Sequence, residues 1–580
     1  MVRRTLTIRG TLLALLCGLL LVAAPVRAGA AEPVVVEHRF TASDGVELAT
    51  TLTSHGPVRA KPTVVEFSPY GRNSQTLTVG PDYNFLLVQI RGTGDSDGRF
   101  DALGPDSQRD VVEVLEWACA QPFSNGRLAL NGFSASAIVL YNSWHQELPC
   151  VEAAIMKSGT HELYRDLLVP GGTANLVPGA GVIALIGGVA LAQGPERIAR
   201  DPGSSLDILQ GLFTSGLNAG LVHRSLDSYW QQRGWRGDAN DIPVLMINGF
   251  FDVESRGAFQ AYQALEDDGA HLLMAGGHDG VPVGTDGGAA ESAAWFDHFV
   301  RGVGNGVETH PRVQLLMSNG DREDYLKGDF SQTSGDSWPI PGTTWTPLAL
   351  DAKRSGSALS LNDGSLALNR PAEVRRQSYL SLPSITTMTD VPNAAIVGAA
   401  GLNALFDLIP ALSEMNVAEA LGLTYTTRRL QQDVVAAGPL SLELPLAATM
   451  PETGIWAVLS DVAPDGTSHP LTVGRLSTAY PNVDVSRSLV DGNGEIVQPY
   501  GDYSARSPAA FKERTYRVEL WPVGNKFEAG HRIRLQLVGV SAASPLSLPA
   551  LNTIRVGGPS GARLLFPVLP GSDLVAALGG

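Results

Sequence analysis

Between residues 33 and 159, short runs rich in β-branched residues alternate with stretches of helical period, and few folds accept that order. The runs are VEHRFTASDGVELATTL, TVVEFSPY, FLLVQIRG and LALNGFS, and the clearest helical stretch among them is DSQRDVVEVLEWACAQ, ending at Gln121. There Val111, Val112, Leu115 and Cys119 recur at helical spacing. Strand then helix, repeated, predicts a mostly parallel sheet with helices on its faces. Such sheets place their sites at the carboxyl ends of the strands, so chemistry is to be sought in residues that directly follow a strand.

Gly132-Phe133-Ser134-Ala135-Ser136 stands in that position, after LALN and before the helix-like AIVLYNSWHQEL. This is the context of a nucleophile elbow, whose tight turn pushes the serine out at the sheet edge. Gly132 permits close backbone approach, and the N–H of Ala135 is placed to meet a developing oxyanion. The usual GxSxG pattern ends in glycine, where this chain has Ser136. A serine hydroxyl needs a base, and the base needs an orienting acid, in the chain order Ser, acid, His. Asp252 follows VLMINGFF and His278 follows HLLMAGG, both after predicted strands. His145, His161, His223 and His298 compete for the role of base, but each falls in a predicted helix or in the cap described next.

From His161 to about Asp241 the pattern changes to glycine-interrupted apolar helices, VIALIGGVALA and SLDSYWQQRGW among them, which predicts an inserted helical cap over 161–241. The strand-helix pattern resumes with IPVLMINGFFD and ends with ESAAWFDHFVRG. An α/β-hydrolase domain is therefore expected in two parts, 31–160 and 242–307, with a linker over 308–345. After about residue 340, short alternating runs such as GIWAVLSDV and HRIRLQLVGV take over, separated by Gly, Pro and Asp turns. They predict an all-β jelly roll over 346–580, with a helical insertion near 392–422. A chain of 580 residues exceeds what one core organises, in keeping with several domains.

Arg3 and Arg4 precede the apolar run LLALLCGLLLVAA, and Ala28-Gly29-Ala30 follows as a small-residue cleavage site. Residues 1–30 therefore read as a signal peptide, predicting a secreted or periplasmic protein with no stable membrane insertion once the leader is removed. The leader carries four arginines and no acid, so its loss takes the formal charge from -16 to -20. That balance excludes nucleic acid as a natural partner. Cys17 lies in the leader, and Cys119 and Cys150 admit either one disulfide or two separate thiols. No stretch resembles a metal-binding helix, and the proposed chemistry calls for no cofactor.

Several segments together resemble the CocE/NonD hydrolase family, which includes the Xaa-Pro dipeptidyl-peptidases and related acyl esterases. They are SPYGR at 68–72, VQIRGTGDSDGRF at 88–100, EWACAQPFSNGR before the elbow, NGFFDV around Asp252, GGHDG around His278 and WFDHFVRG at 295–302. AGPLSLELPLAA, DVAPDG and VELWPVGNKFEAGHRIRLQL resemble the carboxy-terminal jelly roll of that family. The resemblance implies Ser134 as nucleophile, Asp252 as acid and His278 as base. It also implies that Tyr70, in the Pro-Tyr segment, shares the oxyanion hole with Ala135. The chain departs from the family at Ala135 and Ala137, where relatives have Tyr and Gly, and at Gly276 and Gly277, where relatives have a Trp.

The expectation is thus an exported serine hydrolase that cleaves a small acyl ester or a short peptide through a Ser134 acyl-enzyme. A dipeptidyl-peptidase needs a carboxylate for the substrate amine, for which Asp166 and Glu254 are the candidates, whereas an esterase needs none. The alternative is a catalytically inactive protein that binds a ligand or carbohydrate through the jelly roll. Retention of serine, acid, base and tyrosine together speaks against it. Nothing in the sequence specifies an oligomeric state.

Overall fold

Short apolar runs, buried on both faces, pair as the central strands of the molecule, as expected for a parallel sheet covered by helices. The computed structural model describes residues 33–580 apart from 73–79, 176–185, 189–191, 193–194, 219–221, 382–415, 540–548 and the single positions 201, 279, 359, 361 and 421. The expected leader, the apolar cap segment VIALIGGVALA for the most part, and most of the helical insertion near 392–422 lie outside the described residues.

The amino-terminal strands are β1 (Pro33–Thr41), β2 (Glu47–His55), β3 (Lys61–Ser68) and β4 (Asn84–Gln89). Helix α1 (Pro105–Cys119) leads to β5 (Ser124–Phe133), and α2 (Ala135–Ser143) leads to β6 (Val151–Lys157). The cap contributes α3 (Pro195–Arg200), α4 (Ser204–Leu217) and α5 (Ser228–Gln231). Then come β7 (Val244–Asn248), α6 (Ser255–Leu265), β8 (His271–Met274), α7 (Ala289–Phe299), β9 (Val313–Ser318) and β10 (Phe330–Gly335). Pairing gives the order β1-β2-β4-β3-β5-β6-β7-β8-β9-β10, parallel from β4 to β9 and antiparallel at both edges.

Pro105 opens α1, where a missing N–H costs nothing, and Val111, Val114, Leu115 and Ala118 bury one face of that helix. Helix α2 is buried at all nine positions, so the segment behind Ser134 is held in the core on every side.

The segment expected to link the domains, 308–345, instead extends the sheet. Val313–Ser318 pairs in parallel with β8, and Phe330–Gly335 returns antiparallel to it. The reason is visible in VQLLMS, an apolar run whose Val313 and Leu315 are fully buried, which is the signature of an inner strand rather than of a linker.

Beyond it the chain is β-rich. Strands β11 (Thr344–Asp351), β12 (Asp363–Ala367), β13 (Arg375–Ser381), β14 (Leu423–Thr426), β15 (Val434–Ala448), β16 (Gly454–Val462) and β17 (Ser468–Ser477) are followed by a small ribbon, β18 (Leu489–Val490) with β19 (Ile496–Gln498). Strands β20 (Arg514–Phe527), β21 (Arg532–Val538), β22 (Ala550–Val556) and β23 (Arg563–Val568) complete a jelly-roll-like arrangement. Long β15 pairs with β20, β22 and β23, while β16 lies between β17 and β21. Ser318 at the end of β9 pairs with Asn525 of β20, which joins the hydrolase sheet to the jelly roll.

Cys119, the last residue of α1, is disulfide-bonded to Cys150, which directly precedes β6. Of the two readings the sequence left open, the bonded one holds. The crosslink closes a loop with a sequence separation of 31. Replacing both cysteines by serine is expected to lower stability by about 3–4 kcal/mol from lost loop constraint, measured as a lower urea midpoint.

Candidate active site

Ser134 sits between the last residue of β5 and the first of α2, and its backbone is at φ 57°, ψ -126°. A non-glycine residue in so sparsely populated a region carries strain of order 1–3 kcal/mol, so its surroundings must over-determine it. They do. The Ser134 N–H donates to the Lys157 carbonyl of β6 at 2.9 Å, and the Ser134 carbonyl accepts from the N–H groups of Ala137 (2.9 Å) and Ile138 (3.0 Å). The turn is tight enough that a Cβ on Gly132 would lie 2.7 Å from the Ala137 backbone, and one on Gly159 would lie 2.5 Å from the Ala137 methyl. Gly159 therefore leaves the room that Ala137 fills in place of the family's glycine.

Tyr70 follows β3 and is buried, and its Oη accepts the Ala135 N–H at 3.3 Å. Burial pushes its phenol up to about 12, against hydrogen bonding with Ser134 and Ala135 that would lower it. At neutral pH the hydroxyl keeps its proton and so has one to donate. Sequence alone would have left Tyr70 as a packed aromatic; only the resemblance pointed to it.

Asp252 follows β7 and is 1% exposed. Its carboxylate accepts the Glu254 N–H on Oδ1 (2.8 Å) and the His278 N–H on Oδ2 (2.8 Å), and both oxygens stand 3.0 Å from His278 Nδ1. Burial would raise its pKa, but the charge of His278 and these donors outweigh that and hold it below the ordinary carboxylate value. A Cβ at Gly277 would fall 2.0 Å from Asp252 Oδ2, so glycine there lets the histidine loop close over the acid. The His278 ring packs against that of Phe133, the residue before Ser134, with centroids 4.9 Å apart. The structure thus draws Ser134, Ala135, Tyr70, Asp252 and His278 together at the carboxyl ends of β3, β5, β7 and β8.

Residues 44–280 match the family described as X-Pro dipeptidyl-peptidase (S15 family), and residues 305–555 match the X-Pro dipeptidyl-peptidase C-terminal non-catalytic domain. The chain belongs to the CocE/NonD hydrolase family. It is 24% identical over 549 residues to a cocaine esterase of Rhodococcus sp. (strain MB1 Bresler), covering 85% of this chain and 88% of that one. Its fold is that of a CocE/NonD family hydrolase from Staphylococcus aureus, with a TM-score of 0.72 at 17% identity over 93% of this chain and 94% of the other. An α-amino acid ester hydrolase superposes with a TM-score of 0.69 at 15% identity over 95% and 99%. As a CocE/NonD hydrolase the chain is a serine hydrolase, from a family of peptidases and esterases.

The two carboxylates considered for a substrate amine differ in environment. Asp166 is fully buried and already engaged, by Arg256 Nη1 at 2.7 Å and by the Thr160 hydroxyl. Glu254, 1% exposed, has an Oε2 with no hydrogen-bond partner among the described residues. Burial raises its pKa well above 4.5; His278 works against that, and the nearby Asp252 and Asp166 reinforce it. No group of three or more His, Cys, Asp or Glu side chains among the described residues is placed to hold a metal ion.

Glu254 makes stability depend on pH. The folded state keeps its proton where the unfolded chain has lost it, so Glu254 costs increasing stability as pH rises above 4.5 toward its folded pKa. Glu254→Gln removes that cost. The variant and the parent should melt together at about pH 4, and the variant should melt higher at about pH 8, by calorimetry.

Proposed function

We propose that this CocE/NonD hydrolase is an acyl ester hydrolase in which Ser134 is the nucleophile, His278 the base, Asp252 the acid, and Tyr70 with the Ala135 N–H the oxyanion hole. The observation that carries the reading is the convergence of Tyr70 Oη on the Ala135 N–H beside Ser134, opposite a histidine already oriented by a buried carboxylate. Because Nδ1 of His278 faces Asp252, Nε2 is the nitrogen that takes the Ser134 proton. The freed oxygen attacks the acyl carbonyl, and the two donors hold the oxyanion. The imidazolium then protonates the departing alcohol, and His278 next activates water to release the acid from Ser134.

Preference for an ester over a peptide is supported by the state of the two carboxylates. A substrate ammonium is best met by standing negative charge, and here Asp166 is committed to Arg256 while Glu254 favours its neutral form. The dipeptidyl-peptidase reading draws support from the unpartnered Glu254 Oε2, which a cation could claim.

Purified protein should turn over p-nitrophenyl acyl esters and leave Gly-Pro and Ala-Pro p-nitroanilides intact, with Ser134→Ala silent on both. Anilide cleavage would make the enzyme a dipeptidyl-peptidase, and a fully active Ser134→Ala would sink the nucleophile assignment. Tyr70→Phe should lower kcat roughly 10²- to 10³-fold with little change in KM, since the phenol acts on charge that develops only in the transition state.

Export to an oxidising compartment is also proposed. It is supported by the leader-like residues 1–30 and by the Cys119–Cys150 disulfide. Protein recovered outside the cytoplasm should have an intact mass that begins at about Ala31; a full-length mass there would contradict cleavage.

A further inference from the structure

The acid of the site hangs on a turn that leads into α6. Glu254 donates its N–H to Asp252 Oδ1 at 2.8 Å, Ser255 donates to the Asp252 carbonyl at 3.1 Å, and Gly257 donates to the Glu254 carbonyl at 3.0 Å. The first turn of α6 therefore determines where the Asp252 carboxylate stands against His278.

That turn is braced from two other parts of the chain. Arg256, 2% exposed, donates from Nη1 to Asp166 Oδ1 of the cap at 2.7 Å and from Nε to Glu519 Oε1 of β20 at 2.9 Å. The same Glu519 oxygen accepts Gln498 Nε2 at 2.9 Å. Five residues along β20, a Cβ on Gly524 would lie 2.3 Å from the ring of Phe250, in the loop that carries Asp252. On the cap side, a Cβ on Gly257 would lie 2.1 Å from the Thr160 hydroxyl oxygen. Neither contact has room to slide.

A guanidinium this buried needs charge partners, and they could have come from any neighbour. Here one comes from the jelly roll and meets Arg256 at the turn that hydrogen-bonds the acid. We propose that Glu519, in the domain its family describes as non-catalytic, is a positioning residue for the reaction: through Arg256 it fixes the first turn of α6 and so the Asp252 carboxylate against His278. The proposal rests on Asp252 being the acid of the site.

The test is steady-state hydrolysis of a p-nitrophenyl ester by Glu519→Gln, with rates divided by the number of sites titrated with a fluorophosphonate. Misplacing the acid slows chemistry without weakening ester binding. The expected result is a kcat per titrated site roughly ten-fold lower, with KM within about two-fold of the parent. A merely structural role would reduce the titrated fraction and leave kcat per site unchanged, and that result overturns the proposal. Should Glu519→Gln give no soluble protein, Gln498→Ala removes only the amide that steadies Glu519. It should lower kcat per site about three-fold, and an unchanged value is equally fatal. Asp252→Asn is run beside them. Full turnover there would remove the acid assignment and this proposal together, whereas loss there beside an unaffected Glu519→Gln removes this proposal alone.

Discussion

Ser134 holds its backbone at φ 57°, ψ -126°, and a serine so strained persists only where strand, turn and helix are all fixed by their own packing. Here β5 is an inner strand of the sheet, α2 is buried at every position, and glycines at 132 and 159 leave the turn the space it needs. The same sheet delivers Tyr70 from the end of β3, Asp252 from the end of β7 and His278 from the end of β8, so four distant stretches of chain meet because their strands run parallel within one sheet.

Much of this was legible in the sequence, for physical reasons. Alternation of apolar strands and helices reports a parallel sheet, and residues just after a strand end up on one edge of it, so Ser134, Asp252 and His278 could be picked out from position alone. The reading of 308–345 as a linker failed because a single strand flanked by turns has too little pattern to declare its partner. VQLLMS becomes an inner strand only because β8 is there to receive it. Tyr70 carried no pattern of its own and entered through family resemblance. Arg256 was invisible, since its partners Asp166 and Glu519 lie 90 and 263 residues away and ion pairs leave no periodic trace.

The cap joins the site to the jelly roll through more than one contact. Arg165 lies 3.7 Å from the ring centre of Tyr500 and donates to the Gly501 carbonyl at 2.8 Å, while Tyr500 Oη donates to Glu162. Farther along the cap, Leu226 donates its N–H to the Tyr503 carbonyl and Tyr480 Oη donates to the Arg224 carbonyl. The cap is thus tied to the jelly roll at two places, and the turn after Asp252 is tied to both domains. Buried charge is concentrated at this three-way junction, where a guanidinium and its carboxylates must meet in one geometry or pay a desolvation cost unrelieved. The carboxy-terminal domain is thus joined by buried ion pairs and hydrogen bonds to the turn that follows Asp252.

The nucleophile proposed is Ser134, and its activation is read out by treating the purified protein with a fluorophosphonate and locating the adduct by peptide mass mapping. A single adduct on Ser134 is expected. No adduct, or one carried by a neighbouring serine such as Ser136 or Ser158, would contradict it.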